Sequence, residues 1–139
     1  MTVPARVVVL EGTLFDGPCD FIVARGAEGE LGILPRHAPL ITTLKPGPLM
    51  LRSQRQERFL FIDGGFLEVL PDRVTVLATG GEPAEAIDIA QAEQARRAAE
   101  ERLAQGDLTD DQRAQQTLAL ERATMRLQAA ELHRRGQRG

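Results

Sequence analysis

The chain has 139 residues, 42% of them hydrophobic, with 17 basic and 20 acidic residues and a net charge of −3. That length suits one good core, or a small core with an appendage, and the composition suits a folded soluble protein. No run approaches the roughly 18 apolar residues that cross a bilayer, so membrane association is expected only through a partner, and the opening Met1-Thr2-Val3-Pro4-Ala5-Arg6 lacks the apolar stretch of a secretory signal.

Residues 3 to about 80 read as β. Arg6-Val7-Val8-Val9-Leu10, Phe21-Ile22-Val23-Ala24, Phe59-Leu60-Phe61-Ile62, Phe66-Leu67-Glu68-Val69 and Val74-Thr75-Val76-Leu77 are short and rich in β-branched or aromatic residues. Turn signals separate them at Glu11-Gly12, Asp16-Gly17-Pro18, Arg25-Gly26, Lys45-Pro46-Gly47-Pro48, Asp63-Gly64-Gly65 and Pro71-Asp72. Short strands joined by tight turns indicate an antiparallel sandwich or barrel. All five phenylalanines fall in this half, so the core that holds the fold is expected here. Cys19 reads as a small buried hydrophobe near a turn.

From about Ala84 the composition turns to Ala, Glu, Gln, Arg and Leu, which favours helix. Asp88-Ile89-Ala90-Gln91 has the form of a capping box, and the helix it opens is expected to stop near Gln105, with Gly106 taking the left-handed conformation. Thr109-Asp110-Asp111-Gln112 is a second box, opening a helix that runs to about Arg135 and ends before Gly136. The pair forms an αα-hairpin, hinged at a flexible Gly80-Gly81-Glu82-Pro83. The expected seam sets Ile89, Ala92, Ala99 and Leu103 against Ala114, Leu118, Met125, Ala129 and Leu132. Leu120 and Leu127 project from the opposite side of the second helix. They either rest on the sandwich, stay exposed, or form a face that docks alternately on the sandwich and on a partner.

The chemistry inventory is thin. Ser53 is the only serine, and the two histidines, His37 and His133, lie in different halves. A nucleophilic site needs nucleophile, base and orienting group together, and neither Ser53 nor Cys19 sits in a recognisable motif. One Cys and two His are too few for a zinc site, so no metal and no catalytic residue is expected. The segment from Arg122 to Gly139 carries five arginines and one glutamate, a charge of +4 against −7 for the rest. Without interleaved aromatics, and in an acidic chain, that segment is not expected to bind nucleic acid. It fits an acidic protein surface better.

Two blocks carry a family resemblance. Gly29-Glu30-Leu31-Gly32-Ile33-Leu34-Pro35-Arg36-His37-Ala38-Pro39-Leu40-Ile41-Thr42 resembles the signature loop of the ε subunit of F-type ATP synthases, called δ in mitochondria. Gly64-Gly65-Phe66-Leu67-Glu68-Val69 followed by Val74-Thr75-Val76-Leu77-Ala78 matches the same family at the expected distance downstream. The likeness covers essentially residues 3–134.

The resemblance implies an α+β fold: an N-terminal antiparallel β-sandwich over residues 1–83, then a C-terminal two-helix antiparallel hairpin over 84–139. It implies a non-catalytic central-stalk subunit of a proton- or sodium-translocating ATP synthase. Such a subunit is a rotor component that binds γ, rests on the c-ring, and restrains ATP hydrolysis through its helices. It would lie peripherally at the cytoplasmic face of the bacterial inner membrane, touching the membrane only through the c-ring. Carried over by position, Glu30, Leu31, Gly32 and His37 belong to the loop facing the c-ring and γ. Arg122, Arg126, Arg134 and Arg135 form the basic helix that meets the β subunit within the α/β head.

Some bacterial members bind ATP between the helices through an Ile/Leu-Asp-x-x-Arg-Ala motif and two arginines one turn apart. Here Asp88, Arg122 and Arg126 match, but Gln91 stands where the motif has Arg. Losing a cation beside a polyphosphate is not conservative. No cofactor is expected, and ATP as a regulatory ligand should bind weakly or not at all. A soluble ATP-sensing module is the alternative function.

Overall fold

The computed structural model describes residues 1–138. Eight strands come first: β1 (Val3–Val9), β2 (Gly12–Cys19), β3 (Phe21–Gly26), β4 (Gly29–Ile33), β5 (Leu40–Ser53), β6 (Gln56–Leu70), β7 (Arg73–Ala78) and β8 (Gly81–Pro83). A single 3₁₀ turn at Ala84–Ala86 leads into α1 (Ile89–Ala104) and α2 (Asp110–Arg138). The hydrogen-bonded order is β2-β1-β7-β6-β5-β3-β4, with β8 added to β6. All pairings are antiparallel except β1 with β7. The expected α+β architecture, sandwich then helical hairpin, is the one observed.

The sandwich is one sheet folded on itself, and two long strands make the fold. β5 and β6 pair from Leu40↔Val69 to Ser53↔Gln56. One half of β6 pairs with β7, the other with β8. Strands that cross between layers need a bend. Here the bends are Pro46-Gly47-Pro48 and Asp63-Gly64-Gly65, which the composition had marked as turns between separate strands. Both lie inside continuous strands, because the cross-strand ladder carries the backbone through them. Gly65 has φ +136°, and a Cβ there would stand 2.2 Å from the Leu77 carbonyl oxygen. The segment 16–18, also marked as a turn, lies within β2, and 25–26 ends β3.

Alternation along these strands explains their unbroken apolar runs. Leu49, Leu51, Leu60 and Ile62 point into the main core with Val7, Ile22, Ile33, Leu67, Val69 and Val76. Their neighbours Met50, Phe59 and Phe61 point the other way, into a second cluster. A strand buried on both faces reads as continuous hydrophobicity. The main core is therefore aliphatic. Phe15 is partly buried against it, Phe21, Phe59 and Phe61 belong to the second cluster, and Phe66 is exposed. Cys19 is fully buried in the main core. Burial, with the Asp20 charge adding to it, pushes its thiol up to about 11, so it remains protonated.

Asp88 caps α1 by accepting from the Gln91 backbone N–H at 3.0 Å. α1 ends at Gln105, whose N–H returns to the Arg102 carbonyl. Gly106 is absent from the positive-φ residues, so the expected left-handed stop is not used. The second box closes fully. The Gln112 N–H donates to Thr109 Oγ1 at 3.1 Å, and the Thr109 N–H donates to Gln112 Oε1 at 3.0 Å. α2 continues through Gly136 rather than ending before it.

On α2 the face expected to meet α1 is turned to the sandwich instead. Met125, Ala129 and Leu132 pack with Met50, Phe59, Phe61, Ala84 and Ile87 on the outer face of the sandwich. The other stripe of α2, Leu120, Ala123 and Leu127, is buried or half-buried on the side turned from that cluster. α1 packs on α2 and makes no comparable contact with the sandwich among the described residues. Its buried residues are Ala92 and Ala99, as expected of the seam. Ile89, 52% exposed, lies outside the seam, as do the exposed Ala114 and Leu118.

The segment expected to be a flexible hinge is instead hydrogen-bonded to the sandwich. Gly81–Pro83 pairs with Leu60–Ile62, and the Asp63 N–H donates to the Gly80 carbonyl at 2.9 Å. Expected from these clusters, a chain ending after Pro83 unfolds cooperatively in urea but binds a hydrophobic dye, because Met50, Phe59 and Phe61 lose their cover. A broad, non-cooperative transition would show instead that the hairpin belongs to the folding core.

Candidate functional site

Among the described residues, three ion pairs join the hairpin to the sandwich, and two use arginines singled out from the sequence. Arg122 Nε donates to Asp63 Oδ1 at 2.7 Å. Arg126, one turn on, donates from Nε at 3.0 Å and Nη2 at 2.8 Å to Glu82 Oε1. Arg25 on β3 donates from Nη1 to the Pro46 carbonyl at 2.6 Å and to Glu121 Oε2 at 3.2 Å. Gly47 makes room for Arg25, since a Cβ there would lie 2.8 Å from Arg25 Cδ. Arg134 and Arg135 instead bond Glu131 within α2. Burial pushes the Glu131 carboxyl up, but the hydrogen bonds and charges of those two arginines hold it below the usual carboxylate range.

Magnitudes decide what these pairs do. Partly exposed ion pairs contribute about 0.2–1 kcal/mol each, whereas each fully buried Phe, Leu, Ile or Met contributes about 1.5–3 kcal/mol. The apolar cluster therefore holds the hairpin down, and the ion pairs fix where it lies.

The structure brings Asp88, Gln91 and Arg126 together beside Glu82, while Arg122 is turned to Asp63. The Gln91 side chain does not complete the first capping box. Its Oε1 accepts from Arg126 Nη1 at 3.3 Å instead. Glu82, which the sequence reading left out, takes the cation that a nucleotide phosphate would use.

Glu30, Leu31 and Gly32 lie on β4 at the sheet edge, and His37 lies in the loop that follows. Glu30 and Gly32 are exposed, and Leu31 is half-buried against the main core. His37 Nδ1 is 2.7 Å from the Ala38 carbonyl oxygen, and Arg36 holds a left-handed φ of 65°. Near them the sheet exposes large apolar side chains: Leu34, Ile41 at 72%, Phe66 at 57% and Leu77 at 54%. Phe66 stands opposite Thr43 on β5 and Leu77 on β7, so these side chains share one outer face. The sequence reading missed this face. The alternation Phe66-Leu67-Glu68-Val69, with 67 and 69 inward, held the signal.

These features define a class of protein that works through its surfaces: an apolar sheet face, an edge with a polar loop, and a basic helix docked by ion pairs. Comparison with known proteins makes the class specific. Residues 2–84 match the family model for the ATP synthase delta/epsilon chain β-sandwich domain, and residues 85–131 match that for its long α-helix domain. The chain belongs to the ATP synthase delta/epsilon family. It is 52% identical over 104 residues to the ATP synthase epsilon chain of Acidithiobacillus ferridurans, covering 75% of this chain and 74% of that one. It is 43% identical over 137 residues to that of Herpetosiphon aurantiacus, covering 99% and 100%.

Among solved structures it resembles a chain of the Euglena gracilis mitochondrial ATP synthase OSCP/F1/c-ring assembly. The TM-score is 0.82 at 25% identity, over 95% of this chain and 82% of that one. A chain of the Tetrahymena thermophila central stalk/c-ring assembly shares the fold, with a TM-score of 0.61 at 14% identity over 94% and 97%. No helix among the described residues is long and apolar enough to cross a membrane.

Asp63→Asn combined with Glu82→Gln is expected to speed amide hydrogen exchange in α2 roughly three- to tenfold at low salt, with the hairpin still docked. The gain should shrink at high salt, where exposed charges are already screened. Exchange unchanged at both salt levels would show that the pairs contribute nothing to docking.

Proposed function

We propose that this chain is the rotor subunit joining the γ stalk to the c-ring of an ATP synthase, and that its hairpin restrains ATP hydrolysis. Family membership supports the stalk assignment. The observation that carries the regulatory part is that Arg122 and Arg126 are held by carboxylates of the sandwich. The same cations can exchange Asp63 and Glu82 for an acidic surface of the β subunit in the α/β head. The ion pairs broken are partly exposed and are replaced in kind, so the exchange is electrostatically near neutral. What the partner must supply is apolar cover for Met125, Ala129 and Leu132.

The outer face around Ile41, Phe66 and Leu77 is large enough in apolar side chains to mark a protein contact, and we assign it to γ. Glu30, Leu31, Gly32 and His37, at the adjoining edge, are assigned to the c-ring. In this reading the chain is itself non-catalytic. It lies peripherally at the cytoplasmic face of the bacterial inner membrane, with the c-ring as its only membrane contact.

Replacing Arg122, Arg126, Arg134 and Arg135 by Ala should raise ATP hydrolysis of the assembled enzyme while co-purification with α, β and γ is unchanged. Wild-type hydrolysis should show the stronger dependence on ionic strength. Identical rates for variant and wild type at low and high salt would remove the basic helix as the restraining element.

Nucleotide sensing is the second reading, favoured by the convergence of Asp88, Gln91 and Arg126 and opposed by Glu82. A carboxylate already bonded to Arg126 must be displaced, and Gln91 offers a neutral amide where charge-assisted bonds are roughly twice as strong. Titration calorimetry should find weak or undetectable ATP binding to the wild type and tighter binding to Gln91→Arg. Tight wild-type binding would reinstate the sensor. No gain in the variant would mean that these residues do not form a phosphate site.

A further inference from the structure

α2 carries two apolar stripes of matched content. One is Met125, Ala129 and Leu132, which meets Met50, Phe59 and Phe61. The other is Leu120, Ala123 and Leu127, on the side turned from that cluster. Each offers two large apolar side chains and one alanine, and burying either set contributes a similar amount. Apolar area alone therefore does not choose which stripe lies on the sheet.

Charge separates them. In the half of β6 that pairs with β8, the strand order is β4-β3-β5-β6-β8, and α2 lies over β5 and β6. Arg25 stands on β3 at one flank of the helix, Asp63 on β6 and Glu82 on β8 at the other. The helix carries the opposite signs. Glu121 and Arg122 are successive residues, about 100° apart around α2, and they straddle the docked stripe. Glu121 Oε2 accepts from Arg25 Nη1 at 3.2 Å, while Arg122 Nε donates to Asp63 Oδ1 at 2.7 Å and Arg126 Nη2 to Glu82 Oε1 at 2.8 Å. Arg25 is itself held by the Pro46 carbonyl at 2.6 Å. Its cross-strand neighbour Glu30 lies on β4, one strand further from the helix.

Across the helix, then, the sandwich runs from base to acid and α2 from acid to base. Half a turn of α2 about its own axis would bring Leu120 and Leu127 to the sheet. It would also carry Arg126 towards Arg25 and Glu121 towards Asp63 and Glu82, turning attraction into repulsion on both flanks. We propose that this crossed arrangement selects which stripe of α2 docks, with Arg25 and Glu121 as positioning residues that make the wrong face repulsive. The inference does not depend on whether the hairpin regulates hydrolysis.

The test changes helix charges alone, in the full chain labelled at methionine and leucine methyls. In the wild type, nuclear Overhauser contacts should join the Met125 methyl to the Phe59 ring, with none from Leu127. Glu121→Arg with Arg122→Glu and Arg126→Glu should lose the Met125 contact and gain one from Leu127. Glu121→Gln with Arg122→Gln and Arg126→Gln should show both contacts. Adding Arg25→Glu, Asp63→Arg and Glu82→Arg to the reversed helix should restore Met125 to Phe59, and cooperative urea unfolding checks that each sandwich is intact. Retention of the wild-type contacts alone by the reversed variant would overturn the proposal. So would loss of the Met125 contact with none from Leu127 in its place, since the charges would then hold the helix without choosing its face.

Discussion

The structure depends on one ribbon, β5 paired with β6, that is apolar on both of its faces. Inward, Leu49, Leu51, Leu60 and Ile62 close the sandwich. Outward, Met50, Phe59 and Phe61 require a cover, and α2 provides it. The same register that builds the first module thus creates the demand for the second. Neither face can be polar without opening one of the two interfaces. Placement of the hairpin follows from strand pleat before any helix–helix preference enters.

Over that apolar seam lies a set of charges of a different kind. Asp63 and Glu82 belong to the sandwich, and Arg122 and Arg126 to the helix, so each pair crosses the line along which the modules separate. Such pairs add little net stability and much orientation. Separation of the modules would expose hydrophobic surface at large cost, while loss of the partly exposed ion pairs would cost little. The holding of the hairpin and its placement therefore reside in different residues.

Much of this was legible from sequence, and what was not has identifiable causes. The change of composition near Ala84 located the module boundary, and apolar runs located most strands. Pro46-Gly47-Pro48 and Gly64-Gly65 misled because turns and bends use the same residues; only the ladder between β5 and β6, a long-range feature, tells them apart. The phenylalanines misled because aromatic content does not say which face of a doubly buried strand it lies on. On α2 two apolar stripes are present, and periodicity alone cannot say which one meets α1. Among candidate site residues, Arg122 and Arg126 were singled out by the resemblance and by the charge of their segment, not for the partners they have here. Their partners Asp63 and Glu82 lie 59 and 44 residues away and carry no local signal.

The pairing of β8 with β6 fixes Glu82 to the sandwich, so it would stay behind if the helices left. Between that carboxylate and α1 lie only residues 83–88. A tether so short would keep the arginines of an undocked hairpin at an effective concentration on the order of millimolar around their original acids. Recapture is thus intramolecular and favoured by proximity alone. An acidic surface arriving from free solution at ordinary protein concentrations would lose that competition unless it bound far more tightly than millimolar. One held in the same assembly begins on equal terms. Under the proposed function, the geometry of a three-residue strand would therefore favour partners already co-localised with the hairpin.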